Sequence, residues 1–103
     1  MDQQIITSRT FSPPPPPLKK WCDRWNKAAR KADVMDIKMA ARTVGRPNGL
    51  RPVYHLSLVR IGREPLTCSF KGRKLEDLTD EVLWSATTGL MTAAEIKAKI
   101  KIV

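Results

Sequence analysis

Residues 53–71 read VYHLSLVRIGREPLTCSFK. β-Branched and aromatic residues dominate both halves, and Gly62 and Pro65 punctuate the middle, so the segment reads as strand, turn, strand. Upstream, GRPNGLRP (45–52) holds two prolines, two glycines and an Asn-Gly pair, the strongest turn chemistry in the chain and a loose hairpin connection. Before it, VMDIKMAARTV (34–44) alternates Met35, Ile37, Met39 and Ala41 with Asp36, Lys38 and Arg42. That period suits a half-buried strand, with a helix as the competing reading because Ala and Met are good helix formers. Three consecutive antiparallel strands, a meander, is the simplest topology.

Helices flank this meander. Pro17 suits a first helical position, where its missing N–H has no partner to lose, and it opens LKKWCDRWNKAARKAD (18–33). Leu18, Trp21, Cys22, Trp25, Ala28, Ala29 and Ala32 form one apolar stripe at helical spacing, with Lys19, Lys20, Arg24, Lys27, Arg30 and Lys31 opposite. A second helix begins near Leu75, with Leu75, Leu78, Val82, Ala86 and Leu90 on one side and Glu76, Asp77, Asp80 and Glu81 mostly on the other. Those acids complement the positive end of the helix dipole, and Gly89 is its expected stop. Trp21, Trp25 and Trp84 are read as core or core-edge residues.

The tail IKAKIKIV (96–103) alternates isoleucine and alanine with Lys97, Lys99 and Lys101. It reads as a strand whose lysines guard a sheet edge, or pair it across a homodimer; a helix starting at the Thr92–Glu95 capping-box pattern is the alternative. The expected fold is α+β: a three-stranded antiparallel meander plus a C-terminal strand, two amphipathic helices packed on one face, and a disordered proline-rich N-terminal arm. Residues 1–17 form that arm and 18–103 a single small basic domain.

Of 103 residues, 19 are Lys or Arg and 10 are Asp or Glu, a net charge of +9 that attracts polyanions. The charge is uneven: residues 19–33 carry six basic against two acidic side chains, 34–74 nine against two, and 75–91 none against four. Clustered loop arginines, Arg46, Arg51, Arg63 and Arg73, together with Lys71, Lys74 and the six bases of the first helix, make a candidate nucleic-acid face, RNA favoured, working mainly through phosphates. Strand bases Lys38, Arg42 and Arg60 leave a basic sheet face open as well, on which Tyr54 or Phe70 would stack bases if exposed; core positions are the plainer expectation for both. The order helix, three strands, helix is also that of double-stranded RNA-binding domains, which place phosphate-binding lysines just before the second helix as Lys71, Arg73 and Lys74 stand here. LEDLTDE is acidic where that family is basic, and no strand signature matches, so the likeness is one of element order.

The competing reading is an assembly or adaptor protein, matrix-like, that binds protein partners or an anionic membrane. Pro14, Pro17 and Lys19 match the PxxPx(K/R) spacing read by SH3 domains. Phe11 is set off from the prolines by Ser12, unlike EVH1 ligands, and no PPxY is present for WW domains. With no signal-peptide or membrane-spanning stretch of about 18 apolar residues, an intracellular, soluble chain is expected.

Catalytic chemistry is not signalled, and no cofactor or metal is expected. His55 is the single histidine and has no fixed nucleophile or carboxylate beside it in sequence. Cys22 and Cys68 read as buried free thiols, too few with one histidine for a four-ligand zinc site. Asp77, Asp80 and Glu81 are explained by the helix dipole, and neither residues 62–72 nor GRPNG has the strand-loop-helix setting of a phosphate loop.

Overall fold

The computed structural model describes residues 11–45, 52–71, 73–100 and 102. The proline run resolves the chain's first problem, how to begin a helix, since a helix's first N–H groups have no intrahelical acceptor and prolines have none to lose. Helix α1 (Pro16–Lys31) accordingly starts one residue before Pro17, with the Leu18 and Lys19 N–H groups both donating to the Pro15 carbonyl at 3.0 Å. The disorder expected over 1–17 is therefore not met from Phe11 onward. Phe11–Ser12 form a two-residue strand, β1, and Pro16 and Pro17 belong to α1; residues 1–10 lie outside the described residues.

The stripe read from the sequence is the one α1 buries. Leu18, Trp21, Cys22, Trp25 and Ala29 are core residues, with Ala28 and Ala32 packed at their edge. At the C-terminal end Asp33 takes a left-handed φ of 60°. Its N–H donates to Arg30 and the next, from Val34, to Ala29 at 2.8 Å, closing the last carbonyls in a Schellman turn.

Strands β2 (Ile37–Val44), β3 (Val53–Arg60) and β4 (Leu66–Phe70) make the meander, in the sheet order β1-β2-β3-β4 and antiparallel throughout. Met39 pairs with Leu58, and Ala41 with Leu56, which pairs in turn with Cys68. The register sets one face of Met39, Leu56, Leu58 and Phe70 beneath the helices, all buried. The other face carries Lys38, Arg42, His55, Ser57, Thr67 and Ser69 and has no helix over it. Tyr54 and Phe70 lie on the helix-covered side, so neither is placed to stack a base. Met35, expected on the apolar side of β2, instead precedes the strand and is 71% exposed. The 45–52 connection joins β2 to β3, its residues 46–51 lying outside the described residues.

The second helix starts later than the leucine spacing suggests. Residues Leu75–Asp77 make a single 3-10 turn, and α2 runs Asp80–Ala93 with Thr79 as its N-cap, the hydroxyl accepting from Val82 N–H at 3.3 Å. A threonine that caps must leave helical geometry, which breaks the run at residues 78–79. Leu83 and Thr87 are thereby turned into the core beside Leu90, and neither belongs to the stripe read from the sequence. Gly89 does not stop α2; the helix ends four residues later, where Glu95 at φ 58° closes a second Schellman turn with Ile96 N–H on Met91.

No C-terminal strand forms among residues 96–100 and 102. The alternation is nonetheless obeyed: Ile100 is buried and Ile96, Ala98 and Ile102 pack on the core, while Lys97 and Lys99 face out. The tail is thus an extended strap packed by its side chains, one carbonyl of which, on Ile102, accepts from Arg24 at 3.4 Å.

Two polar contacts lock the layers together. Trp21 donates its indole N–H to the Thr87 hydroxyl at 2.9 Å, both groups buried, tying α1 to α2. Asn26 accepts from Met39 N–H at 2.7 Å and donates to Met39 C=O at 2.9 Å. Its amide thereby imitates one residue of a neighbouring strand along the edge of β2 that β1 leaves uncovered.

Candidate nucleic-acid interface

Because the inner face of α1 is consumed by the core, its six bases have only solvent to face. Lys19, Lys20, Arg24, Lys27, Arg30 and Lys31 are all exposed. They are not equivalent. Lys19 pairs with Asp23 at 3.0 Å, and Arg24 lies 5.5 Å from the Trp21 ring while holding the Ile102 carbonyl. Lys20, Lys27, Arg30 and Lys31 have no ion-pair partner among the described residues, and they recur along one side of the helix over about 16 Å. Arg30 and Lys31 also sit in the last turn, where they complement the negative end of the dipole.

The remaining predicted residues do not join this stripe. Arg63 stands exposed on the β3–β4 turn, at the sheet end where β2 begins. Lys71, Arg73 and Lys74, also exposed, follow β4 at the other end and on the far side of the sheet from β1. Arg46 and Arg51 lie outside the described residues. Lys38 and Arg42 are exposed on the helix-free sheet face. Arg60 is half-buried and donates to the Glu64 carbonyl at 2.8 Å. The basic residues therefore divide into the α1 stripe, the β4–α2 connection and a sparse sheet face.

A groove of about 700 Å³ separates β4 from α2, and Lys71 and Arg73 are on its rim. Nothing in the sequence brought Glu81, Val82, Ser85 and Ala86 of α2 to these residues, because that proximity depends on where α2 crosses the sheet.

The proline run is placed by the helix it starts. With Pro17 inside the first turn of α1 and Lys19 engaged by Asp23, reading Pro14, Pro17 and Lys19 as an SH3 ligand requires that turn to unwind. Burial pushes the Cys22 thiol up to about 12, helped by the neighbouring Asp23 and opposed by Lys19. The Cys68 thiol is raised as well, by burial alone. Both cysteines are free, and neither is an activated nucleophile. His55 lies on the helix-free face, in register with Arg42 and Ser69. Among the described residues no group of three or more His, Cys, Asp or Glu is arranged to hold a metal ion, and no helix is long and apolar enough to cross a membrane.

No protein-family model, curated protein or solved structure matches this chain.

Proposed function

We propose that the chain is a non-enzymatic nucleic-acid-binding protein, RNA favoured, that holds phosphates along the outer face of α1 without reading base sequence. One observation carries the reading: Lys20, Lys27, Arg30 and Lys31 project from one rigid helix with no acidic side chain engaging them among the described residues. A helix anchored by Trp21, Trp25 and Asn26 holds the backbone positions of those cations at fixed spacing, so no backbone order is lost when a phosphate strand meets them. Of the acidic side chains, four lie between Glu76 and Glu81, away from α1 in sequence; Asp23 shares the face of α1 but is engaged by Lys19 at 3.0 Å.

Four phosphate contacts to a single strand imply a slope of about −3 in log affinity against log salt, or about fifty-fold weaker binding from about 50 to about 200 mM. The test is fluorescence anisotropy with a labelled single-stranded RNA of about 20 nucleotides, with DNA of the same sequence alongside. Lys20→Glu, Lys27→Glu and Lys31→Glu combined remove binding, whereas Arg63→Glu, Lys97→Glu and Lys99→Glu combined, the same change in net charge, retain most of it. Equal losses from the two sets would mean that net charge, and no particular face, attracts the strand. Binding indifferent to salt would overturn the proposal outright.

A further inference from the structure

Strand β4 is the outermost strand on its side of the sheet, and among the described residues nothing pairs with its outer edge. Such an edge presents backbone N–H and C=O groups in a row, a template for one more strand. Natural edges are usually guarded by lysine, proline or a bulge, yet Leu66–Phe70 contains no charge and no proline. The groove beside it is lined on this side by four consecutive residues, 68–71. Side chains alternate along a strand, so a consecutive run lines a groove only where the backbone edge itself is accessible. Across from it, Val82 and Ala86 of α2 offer apolar contact near Phe70.

We propose that this groove takes an extended segment of another protein, running antiparallel to β4 and carrying an acidic residue at its N-terminal end. Main-chain hydrogen bonds to β4 would supply affinity, and every second side chain would enter the groove, favouring alternate apolar residues. Antiparallel addition sets the incoming N-terminus beside the C-terminal end of β4, where Lys71 and Arg73 stand. Glu81, also on the groove, offsets one of those charges and leaves the end net positive.

A second copy of the chain fits poorly. Antiparallel pairing of two β4 strands about their middle residue, Cys68, would bring Arg63 and Glu64 of each copy to the Lys71 and Arg73 end of the other, charges that cancel and leave that end positive, between two molecules each bearing a net charge of +9. A segment whose carboxylate is not offset by a base of its own neutralises what a second copy leaves.

The probe is a fluorescein-labelled EEVTVTV peptide, compared with KKVTVTV and with an EEVTVTV whose alternate amides are N-methylated. EEVTVTV binds, KKVTVTV binds about tenfold more weakly or less because two surface ion pairs become repulsions, and N-methylation removes binding. Ser85→Trp, an exposed substitution that fills the groove, abolishes peptide binding and leaves RNA binding unchanged; Arg73→Glu removes the preference for the acidic peptide. Amide hydrogen exchange over Leu66–Phe70 slows on binding. Absence of saturable binding, equal affinity for KKVTVTV, or indifference to Ser85→Trp would overturn the proposal. So would concentration-dependent dimerisation in sedimentation that Ser85→Trp abolishes, since the edge would then belong to a second copy.

Discussion

Changing Asn26 to alanine removes two hydrogen bonds from one backbone position. The side chain satisfies both the N–H and the C=O of Met39, at 2.7 and 2.9 Å, where β1 is too short to do so. Each such bond is worth about 0.5–1.5 kcal/mol net, and more where the abandoned backbone group stays out of water. The site is half-buried, so Asn26→Ala should cost about 2–3 kcal/mol, a fall in Tm of about 8–20 °C for a chain of this size. Asn26→Asp separates the two bonds. One carboxylate oxygen still accepts from Met39 N–H, but the other now faces the Met39 carbonyl oxygen, which disfavours ionisation and raises the folded-state pKa above the ordinary value of about 3.9. A carboxyl so raised costs nothing below the unfolded pKa, where its protonated form donates to the carbonyl as the amide did. Its penalty grows as pH rises from there through the folded pKa. Urea unfolding at about pH 4 and about pH 7 should therefore show Asn26→Asp near wild type in acid and well below it at neutrality, with the alanine deficit nearly constant. An alanine cost below about 0.5 kcal/mol, or an aspartate deficit that widens in acid, would refute the two-bond role of Asn26.

Three further outcomes follow from contacts described above. Thr87→Val keeps the side-chain shape but strands the buried Trp21 N–H, so it should lose about 1–3 kcal/mol, and Thr87→Ser, which keeps the hydroxyl, should lose less; equilibrium unfolding ranks the pair. Asp33→Gly and Glu95→Gly relieve left-handed φ angles of 60° and 58° and should each stabilise by about 0.5–1 kcal/mol in the same assay. The Cys22 thiol is raised by burial from 9.0 to about 12, so the unfolded chain ionises first. Stability should fall as pH rises above about 9, and Cys22→Ala should flatten that limb of the pH profile.

The helical stripe of α1 was legible because every residue that defines it lies within sixteen positions, and the spacing alone separates Trp21 and Trp25 from Lys20, Lys27 and Lys31. The three strands of the meander were legible for the same local reason; β1 was not, because Phe11 and Ser12 stand in a stretch with no period of its own. Thr79 was another exception: its cap divides a continuous leucine pattern, and a threonine's choice between capping and continuing a helix depends on the packing beyond it. In the tail, alternation correctly marks Ile100 as inward and Lys99 as outward, but a period of two fixes faces and says nothing of whether a ladder forms. Asn26 and Thr87 carried no signal, since their partners lie 13 and 66 positions away and polar residues in helices look alike until the layers meet. The α1 bases could be grouped from sequence; the separation of Arg63 from Lys71 and Arg73 could not, because it rests on strand order.

The Asn26 clip has a consequence for assembly. A sheet with two open sides can add strands without limit, each newcomer exposing a fresh edge for the next, and that is how fibres grow. In this chain the opposite side of the sheet is broken up: the two residues of β1 cover β2 at Thr43 and Val44 and the Asn26 amide occupies both groups of Met39, so a copy finds there no run of free groups as long as the edge of β4. Addition at β4 therefore exposes no equally long edge for the next copy, and a chain of net charge +9 can keep an unguarded strand edge without polymerising through it.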